Sequence, residues 1–167
     1  MLPESYEAVL NRYRAEKKRI KALFRFLEKK SKKELDSLFY PLYQEIFFRY
    51  DCTECAHCCS VLGPRFADKD VERLAAYFRM KKKQFASAYL ETDEDGDLVL
   101  NELPCPFLCD DNRCLVYNDR PKACRDFPHL LDGMTKEVLR KTELNGSVCP
   151  PTAEILLLLA DRFQIKA

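Results

Sequence analysis

Nine cysteines lie between residues 52 and 149, and the first four are spaced Cys52-x-x-Cys55-x-x-Cys58-Cys59. Thiolates are soft ligands, so cysteines grouped in this way favour zinc, iron–sulfur or copper(I) over magnesium or calcium. A two-residue gap lets a tight turn aim two sulfurs at one centre while backbone N–H groups inside the turn point at them. The repeated gap of Cys52, Cys55 and Cys58 matches the three-corner grip of a cubane cluster. The ferredoxin-type run would continue x3-C-P, and this chain does not, although Cys105-Pro106 and Cys149-Pro150 occur further on. A structural zinc site commonly draws four ligands from two such knuckles. Here the second knuckle is missing, because Cys105, Cys109, Cys114, Cys124 and Cys149 follow at separations of 4, 5, 10 and 25. A zinc ion would have to collect single ligands from separate loops. Spacing leaves zinc and an iron–sulfur cluster both open.

Cys58-Cys59 adds a constraint. In extended backbone adjacent side chains point to opposite faces. Either one is a buried thiol, or the pair serves two metals, or both line one cluster. His57 and His129 read as ordinary surface or capping residues ahead of ligands. Cys109 is the cysteine most open to another use, but a Cys–His nucleophile needs an oxyanion hole that no segment specifies. Residues 91–102 nearly spell a calcium loop, yet Glu91 stands at its first position and Pro104 blocks an exiting helix. They read instead as an Asp95-Gly96 turn leading into a strand.

The elements that carry these residues are mainly helical. Tyr6, Val9, Leu10, Tyr13, Ile20, Leu23, Phe24 and Leu27 form one stripe and predict a helix over 4–29, broken once by Lys17. Ser31-Lys32-Lys33-Glu34 is a capping box that starts a second helix toward Tyr50. Pro41 predicts a kink or restart within it. The aromatic end of this hairpin (Phe39, Tyr40, Tyr43, Phe47, Phe48) is expected to pack on the cysteine body. Further helices are predicted over 68–80, 84–90 and 152–165, and short strands over 98–100 and 115–117. The expected fold is α+β, mostly α: a small metal-organised cysteine-cluster domain with minor β hairpins, preceded by an N-terminal helical hairpin and closed by a C-terminal helix. The expected boundaries are 1–50 for the hairpin, 51–150 for the metal-binding domain and 151–167 for the last helix.

Net charge over the 167 residues is +1, so no overall field calls for nucleic acid or an acidic membrane surface. Residues 1–50 carry 12 Lys/Arg against 7 Asp/Glu, a basic arm that reads as a solvated helix face, since no aromatic-interleaved motif accompanies it. The longest apolar run, 155–160, has six residues, whereas a membrane span needs about 20. No secretory leader is legible at the N-terminus. The expected compartment is the cytoplasm, where thiols stay reduced, and an odd cysteine count also argues against a pure disulfide framework.

Taken in order, Cys52-x-x-Cys55-x-x-Cys58-Cys59, Cys105-Pro106-Phe107-Leu108, Cys114-Leu115-Val116-Tyr117 and Arg120-Pro121-x-x-Cys124-Arg125-x-Phe127-Pro128 resemble the CxxCxxCC zinc- or iron-chelating domain. The resemblance covers about 50–150 and places the family's cysteines on Cys52, Cys55, Cys58, Cys59, Cys105, Cys114, Cys124 and Cys149. Cys109 is extra. It implies a metal-binding protein whose partner is zinc or iron and whose reaction is not settled, with no catalytic residues to name. Flagellin lysine methylases carry a similar cluster. An iron–sulfur protein acting in electron transfer, or supporting a redox or methyl-transfer reaction, is the alternative that the repeated two-residue gap leaves open. A metal-stabilised protein-interaction module, its partner unknown, is the second alternative. Arg120 and Arg125 are expected to offset thiolate charge, or else to pair with Asp119 and Asp126.

Overall fold

The computed structural model describes residues 4–131 and 133–166; the outermost residues of the expected N- and C-terminal domains, 1–3 and 167, lie outside them. In chain order the elements are α1 (Glu4–Ala15), α2 (Lys17–Leu27), α3 (Lys32–Phe47), α4 (Cys52–Cys55), α5 (His57–Val61), α6 (Asp68–Tyr77), α7 (Lys82–Tyr89), β1 (Leu90–Thr92), β2 (Leu98–Leu100), a 3-10 turn (Tyr117–Asp119), α8 (Lys122–Asp126), α9 (Lys136–Gly146) and α10 (Pro150–Arg162). The fold is mostly α with one two-stranded antiparallel sheet, as the patterning predicts. The chain divides into two compact units, Met1–Cys55 with Pro128–Ala167, and Ala56–Phe127.

The first unit is built around α10, which packs against α1, α2, α3 and α9. Pro150 and Pro151 open this helix, where a missing N–H removes no helical bond. Ala153, Ile155, Leu156, Leu157, Leu159 and Ala160 are all buried, so α10 is apolar on nearly every side, the pattern of a central helix. The predicted 4–29 helix is two helices. Glu16, at φ −89° and ψ 19°, separates them. Its carboxylate accepts from Arg12 Nε at 2.8 Å and Arg19 Nη1 at 2.7 Å. Both arginines also reach Asp161 on α10. The break lets Leu10 and Tyr13, then Ile20, Leu23, Phe24 and Leu27, each bury their own stretch of the stripe.

The capping box is present, with Ser31 Oγ accepting from Glu34 N and Glu34 Oε2 accepting from Ser31 N. Pro41 does not restart α3, which runs through it. Pro41 lies on an exposed face, while Phe39 and Ile46 are fully buried on the other. The aromatic end does not pack as a group. Phe39 is in the core, but Tyr40 is 53% and Phe48 92% exposed. Helix α9 carries too sparse an apolar stripe to be read in advance. Thr135 caps it, and Gly146 at its end admits the Tyr13 ring, which a Cβ there would meet at 2.6 Å. Tyr13 Oη donates to the Glu143 carbonyl at 2.7 Å.

The second unit has its own core of Phe66, Val71, Leu74, Phe85, Leu90, Leu100, Phe107 and Val116. The Phe107 ring stacks on Phe78 and Phe85 with centroids 5.5 and 6.2 Å apart. Strands β1 and β2 pair Leu90 with Leu100 and Thr92 with Leu98. The turn between them is the one read from Asp95-Gly96. Asp93 Oδ1 accepts from the N–H of Asp95 and Asp97, and Gly96 takes φ +83°. The expected strand at 115–117 is absent. Only a bridge between Leu108 and Cys114 forms before the chain enters the 3-10 turn.

Candidate metal centre

All nine cysteines are thiols. They divide between the two units, and the division begins inside the first motif. Ala56 breaks the helical run at φ +43°, in the left-handed region, so Cys52 and Cys55 lie on α4 while Cys58 and Cys59 lie on α5. Because the adjacent pair is helical and not extended, its sulfurs need not oppose each other. Cys58 Sγ and Cys59 Sγ are 4.0 Å apart.

In the second unit Cys59, Cys105, Cys114 and Cys124 lie within electrostatic reach of one another. Two of them sit on tight loops with a shared design. The N–H groups of Phe107 and Leu108 favour the thiolate of Cys105, and that of Val116 does the same for Cys114. In each loop the residue two places after the cysteine, Phe107 or Val116, is a buried core residue. The core therefore anchors the backbone N–H that favours the thiolate. Leu115 N donates to Phe107 O at 2.8 Å and ties the loops together. Cys105 N donates to Cys59 O at 2.9 Å and ties them to α5. Cys124 lies on α8, its N–H bonded to Pro121 O at 3.0 Å.

Burial first, and then charge on Cys59 and Cys114, pushes the Cys105 thiol up to about 11. Burial, with charge on Cys59, Cys105 and Cys114, pushes Cys124 up to about 12. Cys114 is raised chiefly by burial, also with a contribution from Cys59. Cys59 goes the other way, to about 7. The Cys58 thiol lowers it most, burial opposes, and Arg120 adds to the lowering. Arg120 also favours the thiolates of Cys114 and Cys124. Its guanidinium lies 3.6 Å from the Tyr117 ring centroid, and its buried Nε has no hydrogen-bond partner. Arg125, expected to share this role, donates instead to the Arg120 carbonyl. Asp126 pairs with Lys122, and Asp119 with Arg73.

The first unit brings Cys52, Cys55 and Cys149 into electrostatic reach. Cys149 caps the N-terminus of α10 and is buried, which drives its thiol up to about 12; charge on Cys52 and Cys55 adds to this, while the Thr152 hydroxyl and N–H oppose it. The fully buried Thr152 hydroxyl makes no hydrogen bond of good geometry. Tyr50 Oη donates to Glu154 Oε2 at 2.5 Å and Arg49 Nη2 to Glu154 Oε1 at 2.9 Å, which pins the chain just before α4 to the first turns of α10. Tyr6 Oη accepts from Asp51 N at 3.1 Å.

Among the described residues no three His, Cys, Asp or Glu side chains already enclose a point where an ion could sit. The donor chemistry nonetheless fits a soft cation. Buried thiols that repel as anions lose that penalty when they share a dication, and N–H groups aimed at sulfur favour the thiolate form. Cys109 is exposed and sits on a turn, its N–H bonded to Arg113 O at 2.8 Å, and it acts only weakly on Cys114. His57 begins α5, and His129 takes φ +67°. The sequence gives no sign of Thr152, Asp70 or Arg73. Thr152 stands three residues beyond Cys149, a spacing that marks helix capping in general, and the α6 pair has the ordinary i,i+3 spacing of a surface ion pair.

A mostly helical fold with thiols gathered on short loops and helix ends defines a cysteine-cluster protein. Residues 51–150 match CxxCxxCC, described as a putative zinc- or iron-chelating domain, and the chain belongs to that family. No curated protein and no solved structure matches it. Among the described residues no helix is long and apolar enough to cross a membrane.

Proposed function

We propose that the protein chelates zinc or iron through cysteine thiolates, and that binding rather than catalysis is its work. Cys59, Cys105, Cys114 and Cys124 hold one ion. Cys52, Cys55 and Cys149 form a second thiolate group, and Cys58 is a further ligand beside Cys59. The observation that supports this reading is that four thiols from separate stretches of one unit lie within electrostatic reach of one another, with backbone N–H groups favouring the thiolate of two of them. Four thiolates around a dication keep a double negative charge, and the Arg120 guanidinium offsets part of it. Binding releases protons from thiols that burial keeps neutral in the metal-free protein. Nine thiols also suit a reducing compartment, the cytoplasm.

The test is elemental analysis of protein purified without oxygen. Stoichiometric zinc in colourless protein, or iron, supports the reading. Brown protein with labile sulfide would replace it with an iron–sulfur cluster. Protein that carries no metal and takes up none on resupply would end it.

A further inference from the structure

We propose that Asp70 and Arg73, on a helix without cysteines, are positioning residues that hold the Arg120–Cys124 loop in its metal-binding form. The inference rests on the four-thiolate reading and adds to it two residues outside every cysteine motif. Asp70 is almost fully buried, at 3% exposure. Its Oδ2 accepts from Ala67 N at 3.1 Å, closing the start of α6, while its Oδ1 accepts from Arg73 Nη2 at 2.7 Å and from Lys122 N at 3.2 Å. Arg73 Nε then donates to the Asp119 carbonyl at 3.1 Å, and its Nη2 to the Arg120 carbonyl at 2.8 Å.

One carboxylate and one guanidinium therefore satisfy three sites on the loop backbone between 119 and 122: the carbonyls of 119 and 120, and the N–H of 122. A surface ion pair has no need of such partners, and by itself contributes little. This one is half-buried and tied to main chain, where an unmet carbonyl or N–H is expensive. The loop it holds carries Arg120, whose charge favours the thiolates of Cys59, Cys114 and Cys124, and leads into α8 with Cys124. Arg125 reaches back to the same Arg120 carbonyl. Only a guanidinium presents donors in a fork that spans two adjacent carbonyls and a carboxylate.

The experiment loads metal-free protein with Co2+ and then Zn2+ under anaerobic conditions. It compares wild type with Asp70→Asn, Arg73→Ala and Arg73→Lys, using Glu72→Gln as the surface control. Affinity is read by competition against a chromophoric chelator, and ligation by the thiolate-to-cobalt charge-transfer bands, at a temperature where every variant is folded by circular dichroism. Partners that orient metal ligands typically contribute 10- to 100-fold in affinity, so Arg73→Ala is expected to weaken binding about 10-fold or more and to alter the bands. Arg73→Lys is expected not to restore either, and Glu72→Gln to match wild type. If Asp70→Asn or Arg73→Ala does not fold, Arg73→Lys decides alone. Wild-type affinity and bands in the folded Arg73 variants overturn the inference while the chelation reading stands. A wild type that takes up no metal overturns both.

Discussion

Cys105 donates its backbone N–H to the carbonyl of Cys59 at 2.9 Å, so two cysteines 46 positions apart are joined through main chain before any metal is considered. The N–H groups of Phe107 and Leu108 favour the thiolate of the same Cys105. Its position is thus set by backbone on both sides and by the buried Phe107 ring, and the consequences can be measured.

Replacing Cys59, Cys105, Cys114 or Cys124 singly by Ser should remove the metal held by that group, whereas Cys109→Ser should leave metal content unchanged, because Cys109 is exposed on a turn. Elemental analysis of the five proteins decides the assignment. A loss with Cys109→Ser equal to that with Cys105→Ser would show that the ligand set is drawn wrongly.

Phe107→Ala should destabilise the protein by about 3–5 kcal/mol, the range for removing a large buried aromatic. It deletes a side chain 3% exposed that stacks with Phe78 and Phe85. Denaturant unfolding of the metal-free form measures it. A change below about 1 kcal/mol would mean that the aromatic cluster does not support this loop.

Metal removal should act mainly on the cysteine loops. Helix α10 buries its apolar sides against α1, α2, α3 and α9, so far-UV circular dichroism should keep most of its helical signal after chelation. Thermal stability should fall, and should return on resupply in proportion to the logarithm of free metal concentration. An unchanged melting temperature would contradict a role for metal in folding.

Asp70 predicts a pH effect with a definite sign. Burial alone would raise this carboxyl, but Arg73 and the N–H groups of Ala67 and Lys122 outweigh it and hold the pKa below the ordinary value. A lowered folded pKa contributes stability that is complete above the unfolded value of about 3.9 and fades as pH falls through the folded one. Asp70→Asn should therefore cost about 1.5–3 kcal/mol at neutral pH, the range for hydrogen bonds to a charged group. It should also flatten the dependence of stability on pH below about 4. Equal acid slopes for the two proteins in urea titrations would show that the carboxylate contributes nothing.

Several features were legible in the residues alone because they depend on neighbours along the chain. The Ser31–Glu34 capping box, the Asp95-Gly96 turn and the apolar stripes of α1, α2 and α6 are local patterns, and each appears as read. The thiol-rich composition and the four ordered motifs likewise carried the family. The stripe showed its one interruption at Lys17 but not that the helix ends there, and the Asp161 that Arg12 and Arg19 reach from either side of Glu16 comes from the far end of the chain. The fates of Tyr40 and Phe48 were equally hidden, since an aromatic residue has the same periodicity whether its face meets a core or solvent.

The sequence by itself determined that this is a helical, thiol-rich chain of the CxxCxxCC family, because donor chemistry and helix periodicity are written in residue types and spacings. Only the tertiary structure decided how the cysteines are shared out. Ala56 turns the chain between Cys55 and Cys58, which fall in different compact units, and the buried Phe107 and Val116 fix the backbone N–H groups that favour the thiolates of Cys105 and Cys114. Thiols so far apart along the chain can be grouped only by the packing of the segments that carry them, and no spacing rule contains that information.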